Sequence, residues 1–189
     1  STATFDTVEI RNEGELDVNT GVALSYTTLT WNDDGILTEN GTVNFGSTLT
    51  IPQGATYNAN VSKIFDDLTV QGTISHSQNW SAETYSIDIT VNNDLDLQAT
   101  GVINVDNRGY ISSTGTGQGS DGNFQDGAGG GSYGGSGGDG ESGISAGSSY
   151  GSVTAPVNIG SGGGGHDGWS DAGAGGGAIQ LDVTGTLTV

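Results

Sequence analysis

Between Gly115 and Gly177, 26 of 63 residues are glycine, against 10 in the other 126. Glycine has no side chain to bury and loses the most backbone entropy on ordering, so such a stretch cannot build an ordinary apolar core. Nor is it a plain linker, because Phe124, Tyr133, Tyr150 and Trp169 recur along it. Runs such as 129–131, 162–165 and 175–177 can lie side by side as extended, polyproline-II-like backbones, since no Cβ keeps them apart. Their amides must then bond to one another or to a neighbouring surface, with the four rings as anchors. The expectation is a compact lobe with little regular secondary structure, pinned by those rings to the flank of a strand ladder.

The ladder is read from a second pattern, in which two arms of alternating apolar residues flank a glycine. It occurs at 8–18 (VEIRNEGELDV), 36–45 (ILTENGTVNF), 68–76 (LTVQGTISH), 95–105 (LDLQATGVINV) and 179–189 (IQLDVTGTLTV), with a degraded copy at 49–57 (LTIPQGATY). Period-two alternation is the signal of a strand, and the glycine marks a bend that needs positive φ or has no room for a Cβ. With the glycine segment removed, spacings scattered around 20 residues suit the coil of a solenoid. The predicted fold is all-β, a right-handed parallel β-helix in one domain. Rungs fill 1–114, a glycine-rich insertion fills 115–177, and a final strand fills 178–189. A β-sandwich, whose strands also alternate at short intervals, is the alternative.

Composition narrows the function. Hydrophobic residues are 32% of the chain, below the 45–50% of typical domains, so burial is spread thinly along an axis. The net charge of -19 sets 22 acidic groups against Arg11, Lys63 and Arg108. Nucleic acid and anionic membrane surfaces are therefore poor partners, and cations are the natural counterpart. No cysteine staples the chain, and no apolar run is long enough to cross a membrane as a helix. Lacking an initiator Met, the chain reads as a processed product or a piece of a longer one. Its uncapped GTLTV ending predicts continuation into further protein or docking on another subunit.

YGSVTAPVNIGSGGGG at 150–165 followed by AGGGAIQLDVTGTLTV at 174–189 resembles the rung-plus-glycine-loop module of very large bacterial surface proteins and autotransporter-type adhesins. The resemblance covers roughly residues 95–189. It implies parallel β-helical repeats, an extracellular location and an adhesive or scaffolding role, with other copies or neighbouring modules as partners. It carries no catalytic residues.

Catalytic patterns are weak. Gly134–Gly138 fits G-x-S-x-G and Gly117–Gly122 fits G-x-G-x-x-G, but neither has the strand and helix its chemistry requires, and dense glycine produces both by chance. A glycoside hydrolase would need two carboxylates across a cleft. Asp33-Asp34, Asp66-Asp67 and Asp94 with Asp96 are the candidates, yet neighbours on a strand face opposite ways. Calcium has a better basis: Gly162–Ser170 fits the β-roll nonapeptide with Asp167 at its acidic position, and Gly134–Ser142 fits it partly through Asp139. With Asp121 and Asp126, these carboxylates and free carbonyls are suitable hard oxygen ligands. Asn40, Asn60 and Asn79 head N-x-S/T sequons and are candidate glycosylation sites. Trp31, Trp80 and Trp169, or the Thr-rich strand faces, are candidate platforms for surface glycans.

Overall fold

The computed structural model describes residues 1–123, 126–166 and 172–189. These form two compact units, one of Ser1–Ser77, Ile87–Asn104 and Gln180–Val189, the other of Gln78–Ser86 and Val105–Ile179. The second unit is thus wider than the glycine segment, taking in 105–114 and the excursion 78–86.

The first unit is built from β1 (Thr2–Ile10), β2 (Glu15–Val18), β3 (Ala23–Trp31), β4 (Ile36–Glu39) and β5 (Thr42–Val43). There follow β6 (Thr48–Ile51), β7 (Thr56–Ala59), β8 (Lys63–Phe65), β9 (Asp67–Val70) and β10 (Thr73–Ser75). The remainder are β11 (Ile87–Val91), β12 (Leu95–Leu97), β13 (Val102–Ile103), β14 (Ile179–Val183) and β15 (Leu187–Thr188). Four sheets result, in the orders β1-β3-β5, β13-β10-β7-β4-β2, β14-β11-β8 and β15-β12-β9-β6. The triplets β8-β9-β10 and β11-β12-β13 visit the same three sheets in the same order, a solenoid-like progression. The ladders in these sheets are parallel. None shows the antiparallel pairing on which a β-sandwich rests.

Register puts like on like. Leu16, Leu37, Tyr57, Ile74 and Ile103 stand in one row across five strands. Leu49, Leu68, Leu95 and Leu187 form a second row, and Ile51, Val70 and Leu97 a third. Alternation buries every second residue of β6, β7, β9 and β11. Each fully buried Leu or Ile contributes about 1.5–3 kcal/mol by leaving water.

The strand-glycine-strand copies prove to be corners, and they are not all the same corner. Gly54, Gly72 and Gly101 lie between β6 and β7, β9 and β10, and β12 and β13, three stacked equivalents. Gly41 lies between β4 and β5, and Gly185 between β14 and β15, at other corners. The short interval from Gly41 to Gly54 therefore covers only part of a turn, through β5 and β6, whereas an equivalent position recurs only after a whole one. Gly72 has no space for a side chain, since a Cβ would sit 2.2 Å from the Pro52 carbonyl oxygen and 2.3 Å from that of Ala55. Gly54 instead needs its φ of +82°.

Another corner is held by side chains. Asn40 Nδ2 donates to Asp17 Oδ1 at 3.0 Å. Asn60 Nδ2 donates to Asn40 Oδ1 at 2.7 Å and to Ser77 Oγ at 2.8 Å, while Asn60 Oδ1 accepts from Ser77 N–H at 2.7 Å. This polar ladder satisfies groups that a turn between strands otherwise leaves open.

The described part of the second unit is mostly irregular, with a single 3-10 turn at Glu141–Gly143 and a parallel bridge between Gly122 and His166. Its order comes from backbone pairing in three dimensions. Segment 159–165 receives bonds from Tyr110 and Ser113 at Gly160 and Gly163, and from Gly119 and Gly122 at Gly162 and Gly165. It donates to Gly129 from Gly164, and to Gly176 and Gly173 from Gly160 and Gly163. One segment thus has four bonded neighbours, where a β-strand can have only two. That multiplicity is the pattern of polyproline-II-type helices, whose three-residue turn points successive amides in different directions. The packing excludes side chains: a Cβ on Gly119 would lie 1.9 Å from the Gly129 oxygen, and one on Gly164 would lie 2.0 Å from that of Ser120. Tyr110, Ile159 and Ala178 make a small apolar cluster. Tyr133 and Tyr150 meet edge to face at 5.0 Å, and the Tyr150 hydroxyl donates to the Ile159 carbonyl and accepts from Ser161 Oγ. The other two expected anchors, Phe124 and Trp169, lie outside the described residues.

Candidate functional site

Two ladder contacts are absent from the first unit, and together they open a cleft. β3 joins β5 through Ala23 and Leu24, extended by the Asn44 N–H to the Leu24 carbonyl at 2.9 Å. There the chain turns away: Asn44 Oδ1 accepts the Gly46 N–H at 3.1 Å, and Gly46 takes a φ of +76° that favours glycine. Beyond that turn, the later residues of β3 face β6 without strand pairing, and β5 has none with β8. A cavity of about 500 Å³ fills the first gap, lined by Tyr26, Thr30, Trp31 and Phe45 with Thr48 and Leu49. A second of about 440 Å³ fills the other, lined by Ser25, Thr42, Asn44, Phe45, Ser62 and Lys63.

Phe45 lines both cavities and props the layers apart. Its ring contacts Tyr57 edge to face at 5.6 Å and Phe65 at 6.0 Å, and the Lys63 ammonium sits 5.0 Å above its centre. Trp31 meets the other side of Tyr57 at 6.3 Å, with its indole N–H donated to the Gly35 carbonyl at 3.0 Å.

An ion pair closes the gap where the ladder fails. Glu39 is fully buried, on the row of Val18 and Ala59. Its Oε1 accepts the Val43 N–H at 2.5 Å and the Lys63 ammonium at 2.9 Å, and its Oε2 accepts the Tyr57 hydroxyl. Lys63 Nζ also donates to the Val43 carbonyl at 2.8 Å. Both backbone groups of Val43, on the edge of β5, are thus met by side chains instead of by a strand. The buried charge acts on its neighbours. Burial pushes the Tyr57 phenol well above its ordinary value, and the Glu39 charge and hydrogen bond reinforce this. Tyr26 is pushed up to about 12, first by burial and then by Glu39.

Three of the four residues expected to bind calcium are hydrogen-bonded within the second unit. Asp121 Oδ1 accepts from Ser113 Oγ and from the Gly165 N–H at 2.7 Å. Asp126 accepts from Asn123 Nδ2 and from Ser142 Oγ at 2.7 Å. Asp139 Oδ1 accepts the Ala146 N–H at 2.8 Å. Asp121 and Asp126 tie their loops to segments further along the chain and Asp139 closes a local turn, and no group of three or more metal-ligating side chains occurs among the described residues. Asp167 lies outside them.

Of the sequons, Asn40 and Asn60 belong to the corner ladder. Asn79 is buried: its Nδ2 donates to the Tyr85 and Arg108 carbonyls at 2.8 and 2.9 Å, and its Oδ1 accepts the Thr84 and Tyr85 N–H groups at 2.7 and 2.8 Å. A sugar on Nδ2 would replace one of its two hydrogens and so displace one of the two bonds it donates. Of the paired aspartates considered for hydrolysis, four are engaged, Asp66 Oδ1 by Asn92 Nδ2 at 3.1 Å, Asp67 Oδ1 by the Asp94 N–H at 3.3 Å, Asp94 Oδ1 by the Thr186 N–H at 2.9 Å and Asp96 Oδ2 by Gln98 Nε2 at 2.9 Å. Trp80 is exposed, while Trp31 is buried behind the cleft.

The cleft is not visible in the sequence pattern. Its one local signal is Asn44-Phe45-Gly46, an aromatic residue held in an Asn-Gly turn directly after a strand arm. No protein-family model, curated protein or solved structure matches this chain.

Proposed function

We propose that this chain is a non-catalytic structural or adhesive module of an extracellular cell-surface protein or filament. In this reading the first unit is a right-handed parallel β-helix, and it associates end to end with another copy or a neighbouring module. The observation that carries the reading is the pair of open ends. β1 is bonded along one edge only, to β3, and its nine residues are largely exposed. At the other end β15 is bonded only to β12, with Leu187 and Val189 exposed, and β13 leaves Val102 exposed. An unprotected edge as long as β1 is a template for a further strand, and the two-residue edges of β13 and β15 leave apolar side chains uncovered at the other end. Use of the acidic residues as loop and corner ties supports a scaffold over a hydrolase.

Sedimentation velocity across a concentration series, with negative-stain microscopy of the same samples, tests this. Concentration-dependent linear association is expected, and it should be lost when Thr4 and Val8 of β1 are replaced by Lys and Pro. Strictly monomeric behaviour at high concentration, or association unaffected by the β1 changes, would reject end-to-end self-stacking.

A further inference from the structure

We infer that the cleft around Phe45 is a binding site for a neutral, hydroxyl-rich saccharide chain; this rests on the adhesive reading and gives it a ligand class. The two cavities, about 500 and 440 Å³, each fall within the range of ligand pockets. Their walls combine what sugar recognition needs. Phe45 and Tyr26 offer ring surface for the C–H faces of a pyranose, and Asn44, Thr30 and Thr48 offer hydroxyl and amide groups on both sides of it. Unpaired strand edges supply further backbone donors and acceptors, which a polyhydroxyl ligand can meet and an apolar one cannot.

Charge selects among saccharides. Lys63 is the one cation of the cleft, and its charge is already balanced by Glu39 at 2.9 Å. Two of its three N–H donors are engaged, by Glu39 and by the Val43 carbonyl, which leaves one for a neutral hydroxyl. A uronic acid polymer would meet a chain of net charge -19 with no uncompensated cation in the cleft. An added peptide strand is disfavoured too, because the side chains of Glu39 and Lys63 already occupy both backbone groups of Val43 on the β5 edge.

Saturation-transfer NMR with cellohexaose, maltohexaose and hexagalacturonate as probes tests the site on the whole chain. Binding of at least one neutral hexamer is expected in the millimolar range typical of shallow sugar sites, at least tenfold weaker in Phe45→Ala and weakened in a Thr30→Val/Thr48→Val double variant. Because Phe45→Ala also removes core contacts, the double variant, altered only at exposed hydroxyls, serves as the check that does not depend on folding. The inference is overturned if neither neutral hexamer binds, if the double variant binds as well as the parent, or if hexagalacturonate binds more tightly. Protein that stacks but binds no sugar removes this site alone, whereas protein that binds sugar but remains monomeric removes only the stacking.

Discussion

Lys63 is one of three basic residues in the chain, and the structure shows why a single lysine matters at that position. Removing one partner from a buried ion pair leaves the other charge uncompensated, at a cost of about 3–5 kcal/mol, whereas replacing both is often neutral. Lys63→Met should therefore destabilise the first unit strongly, and adding Glu39→Gln should recover most of the loss. Urea unfolding of the two single variants and the double variant measures the coupling, and additive losses would show that the pair does not act as a unit. The nearby phenols predict an alkaline limit. Tyr26 and Tyr57 ionise less readily in the folded chain than the ordinary value of about 10. Between about 10 and about 12 the folded chain consequently holds more protons than the unfolded one. Their contribution is complete below about 10 and is lost as the pH rises through the folded values. A urea midpoint flat from neutral to about pH 9.5 and falling above it is expected, with a smaller fall in Tyr26→Phe.

At the scale of the element, the corner glycines separate two reasons for having no side chain. Gly54 needs its positive φ, whereas Gly72 needs the space that the Pro52 and Ala55 carbonyls leave. Gly72→Ala must push two backbone layers apart and is expected to cost about 1–3 kcal/mol, as overpacking does. Its effect should appear as faster amide exchange in β7 and β10 together, since the carbonyl of Ala55 also receives the Thr73 N–H that joins them. An effect confined to residue 72 and its immediate neighbours would contradict that coupling. The strand arms and the glycine between them were legible in the sequence because alternation and bends are local properties. Which corner each copy forms was not legible. Every corner needs the same strand-glycine-strand pattern, and only the pairing of one layer on the next distinguishes them.

For the whole molecule, two ways of building without much apolar side chain coexist. In the first unit, rows of Leu, Ile and Val stack in parallel register; in the second, backbone packs directly on backbone. The second arrangement predicts an unusual sensitivity to the smallest substitution. Gly119→Ala or Gly164→Ala places a methyl group within 2 Å of a carbonyl oxygen and should unfold the second unit. Gly135→Ala meets nothing within 4 Å and should be neutral or stabilising by about 0.4–1 kcal/mol. Thermal melts with residue-resolved amide exchange distinguish the outcomes, and equal tolerance of all three changes would contradict a close-packed glycine bundle. The sequence by itself determined the all-β character, the strand arms, the bends and the need for an unusual core, because alternation, glycine content and charge act over a few residues. Tertiary structure alone decided the rest. The cleft at Phe45, the Glu39–Lys63 closure of the β5 edge and the use of Asp121, Asp126, Asn60 and Asn79 as internal ties all join residues distant in sequence. A carboxylate or amide suited to a ligand by its chemistry is equally suited to a turn, and only its neighbours in space determine which it serves.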